Sequence, residues 1–291
     1  ALLLAPFRLA RSIGQAMRVI RAVSPDSVLS MGGFVAGPGG LAAWLLRRPV
    51  IVHEQNRVPG LTNRVLARLA RRVMAGFPGA FADDRATVVG NPVRAEISAL
   101  EPPSERLAGR TGRRLRLLVL GGSQGARAIN ELLPEAVAML PASERPEIRH
   151  QVGERHIEAA RRVYAETGVA AEVEAFIDDM AAAYGWADIV ICRAGALTVS
   201  EIAAAGVAAV LVPYPFAVDD HQTRNAEFLV EAGAAVLLPE AAISPESLAE
   251  TLETLTTKRE TLLSMAEKGR SLAVPDSAAR VADLCMEYLA A

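Results

Sequence analysis

Lysine is nearly missing from this sequence: of 31 basic residues only Lys258 and Lys268 are not arginine. We read the bias as a matter of coding rather than chemistry. With 33 acidic residues the net charge is −2, so the whole molecule offers no argument for nucleic acid. Cysteine is scarce too. Cys192 and Cys285 are too few and too far apart for a disulfide framework or a zinc cluster, which points to a reducing compartment. Cys192 closes an apolar strand and reads as core. Aromatic residues make up only 4 %, while Ala, Val and Leu abound, as helices and buried parallel strands require. No apolar run approaches the roughly 18 residues of a membrane span. The opening Ala1-Leu2-Leu3-Leu4-Ala5-Pro6 is too short for a signal-peptide core, lacks a basic leader and begins without methionine, as if cut from something longer. Neither Gly-x-Gly-x-x-Gly nor Gly-x-x-x-x-Gly-Lys-Ser/Thr occurs, which disfavours a nicotinamide site and a P-loop. No spacing joins His150, His156 and His221 into a metal site, and no Asp-x-Asp element precedes a plausible donor pocket. We therefore expect neither metal nor cofactor.

What is present fits two domains: 291 residues, 51 % hydrophobic and 22 % charged. Short apolar runs at Ser27–Met31, Pro49–His53, Val73–Phe77, Thr87–Val89, Leu115–Leu120, Arg149–Val152, Val173–Phe176, Asp188–Cys192, Ala209–Val212 and Ala235–Leu238 read as strands. Helical stretches such as Leu61–Arg72, Ala126–Leu140, His156–Thr167, Thr198–Ala205 and Gln222–Ala232 lie between them. This alternation predicts an α/β protein with parallel sheets covered on both faces. The polar, Pro/Gly-bearing stretch 98–114 reads as a linker, separating a first domain at 1–97 from a second at 115–291. Ser244-Pro245-Glu246 starts a C-terminal helical region, and another helix follows Pro275.

The most informative stretch is Arg193-Ala194-Gly195-Ala196-Leu197-Thr198-Val199-Ser200-Glu201. An apolar strand runs into a glycine turn, and a helix opens with free backbone N–H groups and a glutamate expected in its first turn. Such amides attract a diphosphate, and a carboxylate one turn on accepts from neighbouring sugar hydroxyls. The same residues fit a capping box, Thr198-x-x-Glu201, in which Glu201 satisfies a backbone donor. Two further glycine turns, Gly32–Gly40 and Gly121–Ala126, follow strands, where ligands of open parallel sheets bind. Tight strand–helix packing is the alternative for any one of them.

Taken in order, Gly37–Trp44, His53–Asn56, Gly90–Arg94, Gly121–Arg127, Phe176–Ala181 and the stretch 193–201 identify a family. The chain resembles the MurG-type peptidoglycan N-acetylglucosaminyltransferases along nearly its whole length. The resemblance implies a GT-B architecture, with two Rossmann-like parallel-sheet domains facing across a cleft. UDP-GlcNAc would sit on the C-terminal domain, and lipid I (undecaprenyl-linked MurNAc-pentapeptide) with the membrane on the N-terminal one. Residue by residue, it implies UDP-GlcNAc contacts from Asn56, Arg94, Ser123, the main chain of Ile177, Arg193, Gln222 and the run Ala196, Leu197, Thr198, Val199, Ser200 and Glu201. Ordinary structural roles stand beside these: a loop asparagine at 56, solvated charges at 94 and 193, and an N-cap at 123. His221 stands where the family has a glutamine, and we read it as structural.

The implied reaction is a single displacement: the muramyl C4 hydroxyl attacks the GlcNAc anomeric carbon, UDP leaves, and the linkage inverts to give lipid II. The family's opening Gly-Gly-Thr-Gly-Gly-His turn has no counterpart here, so the general base is expected in a preceding segment rather than at His53 or Glu54. Peripheral attachment to the cytoplasmic face of the bacterial inner membrane is expected through Leu4, Phe7, Leu9, Ile13 and Trp44, rimmed by Arg8, Arg11, Arg47, Arg48, Arg68, Arg71 and Arg72. Core packing is the alternative for the apolar members. A UDP-GlcNAc 2-epimerase, with Glu54 as its one first-domain carboxylate, and a UDP-sugar-binding chain without turnover are the competing functions.

Overall fold

The computed structural model describes residues 5–82, 85–110, 112–122, 126–257 and 259–289. The chain divides into two compact units, one formed by the residues up to Pro92 together with Val274 onward, the other by Val93–Ala273. In chain order the first unit holds α1 (Ala5–Val23), β1 (Val28–Ser30), α2 (Gly33–Leu45), β2 (Val50–Glu54), α3 (Leu61–Leu66), β3 (Arg72–Ala75) and β4 (Ala86–Val88). The second holds α4 (Ala95–Ser98), α5 (Pro103–Leu107), β5 (Arg116–Leu120), α6 (Arg127–Met139), β6 (Glu147–Gln151), α7 (Ile157–Thr167), β7 (Glu172–Glu174), α8 (Met180–Trp186) and β8 (Ile189–Cys192). It continues through α9 (Ala196–Ala205), β9 (Ala208–Leu211), α10 (His221–Val230), β10 (Ala235–Leu237), α11 (Pro245–Thr257) and α12 (Arg259–Ser271). The last helix, α13 (Ser277–Met286), returns to the first unit.

Both sheets are wholly parallel, ordered β1-β2-β3-β4 and β10-β9-β8-β5-β6-β7. Strands covered on both faces need apolar side chains at every position, and β8 and β9 are buried throughout. Leu117 and Val119 of β5, Ile189 and Ile191 of β8, and Val210 of β9 pack with Ile129, Leu133 and Val137 of α6 in one core. In the first unit Val50 and Val52 meet Ile20, Ala42, Ala43 and Leu66, with Ile13, Ala16 and Met17 of α1 laid against them. Val281 of α13 joins Ile51, Met74 and Val89 in a second small cluster.

Three local expectations are revised. The glycine-rich stretch after β1 is not a loop but the start of α2, and at Gly40, where an added Cβ would lie 2.6 Å from a Leu66 side-chain methyl, the small residue lets α2 and α3 pack closely. The helix expected over 61–72 ends at Leu66, because the Arg71 amide already donates to Val50 O at the sheet. The stretch 98–114 is not a bare linker. Pro103 is buried, and the Arg106 guanidinium donates to the carbonyls of Ala205 and Gly206. The chain crosses between units at 92/93 and 273/274 instead, so α13 lies outside the second unit.

Candidate active site

The second sheet has the doubly wound order, and its topology reverses between β5 and β8. At the carboxyl ends of those strands lies a cavity of about 280 Å³ whose lining includes Gly121, Gly122, Ile177, Thr198, Glu201 and Arg94. Its floor is a turn that only glycine fits. A Cβ on Gly121 would fall 2.9 Å from Gln151 O and 3.1 Å from Asn130 Oδ1, while Gly122 takes φ +72°. A buried chain supports this turn: Asn130 Nδ2 donates to Val152 O, His150 Nε2 donates to Asn130 Oδ1 at 3.1 Å, and Tyr164 OH donates to His150 Nδ1 at 2.9 Å. Burial lowers His150 to about 3, so the imidazole is neutral and keeps that donor–acceptor order.

The other wall is α9. Gly195 is its N-cap, in extended conformation and without a side-chain cap bond. The amides of Ala196, Leu197 and Thr198 therefore head the helix with no intrahelical acceptor. The helix is capped at Gly195, three residues before the Thr198 cap that a capping box requires, so Glu201 lies in the second turn rather than the first and caps nothing. Its carboxylate instead takes Arg94 Nη2 at 2.9 Å on Oε1 and Tyr184 OH at 3.1 Å on Oε2. Tyr184 is wholly buried. Burial and the adjacent Glu201 raise its hydroxyl well above 10, which keeps it a donor. The same two causes push the Cys192 thiol up to about 12, so this pocket residue is a neutral wall and no nucleophile. At its far end α9 is tied down by Arg106 and by Arg270, which donates to Ala204, Ser98 and Leu100 carbonyls. Cations there complement the helix dipole.

Of the run 196–201 only Thr198 and Glu201 line the cavity. Ala196 and Val199 are buried, Leu197 is exposed, and the Ser200 hydroxyl donates to Ala196 O. Arg94 belongs to the second unit, not the first, and its half-exposed guanidinium pairs with Glu201. Arg193 lines the cavity yet is committed elsewhere: it donates to Val212 and Pro213 carbonyls, pairs with Glu240 and lies over the Tyr214 ring. Its charge is thus neutralised by protein. Ser123 lies outside the described residues. Gln222 Oε1 accepts from the Tyr214 amide at 2.9 Å, away from the cavity lining. The Nδ1 of the neighbouring His221 donates to Val218 O, a helix-start role.

Asn56 lies in the first unit, where its backbone N–H and Nδ2 both donate to Glu54 Oε1. Glu54 Oε2 accepts from Gly60 N and Asn63 Nδ2, so this buried carboxylate organises its loop. His53 donates from Nε2 to Gly90 O, accepts from Gln55 on Nδ1, and is held below its ordinary pKa by burial. Neither is poised as a base. Three contributions went unseen in the sequence: Tyr184, the Asn130–His150–Tyr164 chain, and buried Asn225, whose Nδ2 holds the Ala194 carbonyl of the glycine turn. Tyr184 sits in an apolar run, whereas Asn130, His150 and Asn225 have polar or charged neighbours in sequence, so no local pattern singles any of them out. Among the described residues no group of His, Cys, Asp or Glu has the makings of a metal site.

Residues 1–75 match the N-terminal domain of glycosyltransferase family 28, and residues 116–281 match its C-terminal domain. A Marinobacter nauticus protein named UDP-N-acetylglucosamine–N-acetylmuramyl-(pentapeptide) pyrophosphoryl-undecaprenol N-acetylglucosamine transferase is 57 % identical over 288 residues, which are 99 % of this chain and 79 % of the relative. The crystal structure of Acinetobacter baumannii MurG superposes with a TM-score of 0.88 at 43 % identity, covering 97 % of this chain and 79 % of that one. A Neisseria meningitidis UDP-GlcNAc 2-epimerase bound to UDP-GlcNAc shares the fold alone, at TM-score 0.66 and 14 % identity over 96 % of this chain and 81 % of that one. With both domains matched in order and two Rossmann-like parallel sheets of the GT-B kind, the chain belongs to glycosyltransferase family 28.

Proposed function

We propose that this enzyme moves GlcNAc from UDP-GlcNAc to the C4 hydroxyl of MurNAc in lipid I, giving lipid II for peptidoglycan synthesis. The observation that carries the reading is the Arg94–Glu201–Tyr184 constellation beside unclaimed helix-start amides, in a chain 57 % identical to a transferase of that name. Glu201 accepts from the ribose hydroxyls, with Arg94 and Tyr184 fixing its two oxygens. The diphosphate meets the amides of Ala196–Thr198, and the Ile177 main chain reads the uracil edge. Gln222, on the same unit, addresses the sugar through a carboxamide that both donates and accepts.

In the reaction the C4 oxygen bonds to the anomeric carbon as the bond from that carbon to the β-phosphate oxygen breaks. The electron pair leaves on UDP, and the hydroxyl proton passes to a base. Negative charge grows on the diphosphate, and preorganised amides stabilise it without reorientation. One such donor contributes on the order of 3 kcal/mol to the barrier. The epimerase reading loses its candidate, because Glu54 is held by Asn56, Gly60 and Asn63.

Membrane attachment belongs to the first unit. Phe7, Leu9, Trp44 and Leu45 are exposed, and Trp44 and Leu45 open onto a cavity of about 620 Å³ bordered by Arg47, Arg48 and Arg71. Ile13 packs on the core and Arg72 pairs with Glu287 at 2.7 Å, so neither takes part. Leu4 lies outside the described residues. No helix among the described residues is long and apolar enough to cross a membrane. An apolar patch rimmed by arginine suits a surface of anionic lipid. Incubating the protein with radiolabelled UDP-GlcNAc and a lipid I analogue tests the activity. The expected result is a labelled disaccharide lipid, and UDP-GlcNAc epimerised or bound without transfer overturns the reading.

A further inference from the structure

Gln151 ends β6, level with Leu120 on one neighbouring strand and Glu174 on the other. Strand alternation turns it away from its neighbour. His150 faces Asn130 and Tyr164, so Gln151 projects to the opposite side of the sheet, where it lines the cavity with Ile177, Met180 and Tyr184. Its main chain is fixed by the Gly121 amide donating to its carbonyl at 2.8 Å. The residue as a whole is only 6 % exposed, and its carboxamide opens on the cavity, where no side-chain hydrogen bond to another described residue holds it. A carboxamide that faces a cavity and is not committed to another described side chain or backbone group is available to donate to and accept from a ligand there.

Position decides which part of a nucleotide that is. Across the carboxyl edge the strands run β8, β5, β6, β7. The α9 amides follow β8, the glycine turn follows β5, and the loop carrying exposed Phe176 and buried Ile177 follows β7. Gln151 on β6 stands two strand spacings, about 10 Å, from the β8 end and one spacing from β7. A nucleoside diphosphate anchored by phosphate at α9 therefore brings its base, not its phosphates, over Gln151. We infer that Gln151 is a base-reading residue, whose carboxamide N–H donates to a ring carbonyl of the pyrimidine. The inference rests on the cavity being the UDP site.

Calorimetry at pH 7.5 with UDP and with inorganic pyrophosphate tests it on wild type, Gln151→Met and Gln151→Glu. Methionine keeps the volume and removes the donor, and glutamate turns an acceptor-only carboxylate toward the carbonyl. We expect UDP affinity to fall about five- to tenfold for Gln151→Met and further for Gln151→Glu, with pyrophosphate affinity unchanged. Unchanged UDP affinity in both variants overturns the inference. So does an equal loss for UDP and pyrophosphate, since that marks a purely structural role. Wild-type protein that fails to bind UDP overturns the site assignment itself.

Discussion

Glu201 binds two groups of opposite demands. Arg94 is half-exposed, and an ion pair in that setting contributes only about 0–1 kcal/mol. Tyr184 is buried, and removing its acceptor leaves an orphan hydroxyl costing about 1–3 kcal/mol. Glu201→Ala should therefore weaken UDP binding and destabilise the protein together. Glu201→Gln keeps an acceptor for Tyr184 while weakening the grip on the ribose, so UDP affinity should drop about tenfold with a stability change below about 1 kcal/mol. Adding Tyr184→Phe to Glu201→Ala should recover the lost stability but not the affinity. Paired urea titrations and UDP calorimetry check all three, and wild-type affinity in Glu201→Gln would return the carboxylate to a structural role. The sequence singles out the carboxylate as a candidate but does not show its partners. Arg94 and Tyr184 are 107 and 17 residues away, and no local spacing encodes either contact.

Elements were easier to read than contacts. All ten expected strands form; the central ones, such as β8 and β9, are buried on both faces and written as short apolar runs, while β4, β6 and β7 carry polar or exposed positions. The failures came where tertiary packing is not written locally: the glycine-rich run after β1 forms α2, with Gly40 packed beside Leu66, and α13 joins the first unit through Val281. The turn after β5 carries a prediction at this scale. In Gly121→Ala the new methyl meets Gln151 O, a backbone atom that cannot swing aside. The turn must shift, and we expect a cost of about 1–3 kcal/mol and a loss of UDP affinity. Alanine at Gly195 should be far milder, since the nearest atom to its methyl would be Thr198 Oγ1 at 3.7 Å. Equal effects at the two glycines, measured by thermal melts and UDP titration, would refute the argument.

Across the whole molecule, each unit contains one buried, neutral histidine: His53 in the first and His150 in the second. Burial is the leading cause of depression in both, against an ordinary value of 6.5. Between about 3 and 6.5 the unfolded chain binds a proton at His150 that the folded chain refuses. Its contribution is fully present above 6.5 and is lost as pH falls through that window, by up to about 1.4 kcal/mol per pH unit. His53 acts in the same direction. The sequence supplies a reporter for each unit, since its two tryptophans are Trp44 in the first and Trp186 in the second. In a Trp44→Phe background, urea unfolding followed at Trp186 should lose stability steadily from pH 7 to pH 5. Adding His150→Gln should lower stability at pH 7 by breaking the Asn130–Tyr164 link while flattening that slope. In a Trp186→Phe background the first unit should keep its slope whether or not His150 is replaced. A second-unit slope untouched by His150→Gln would assign its acid sensitivity to other groups.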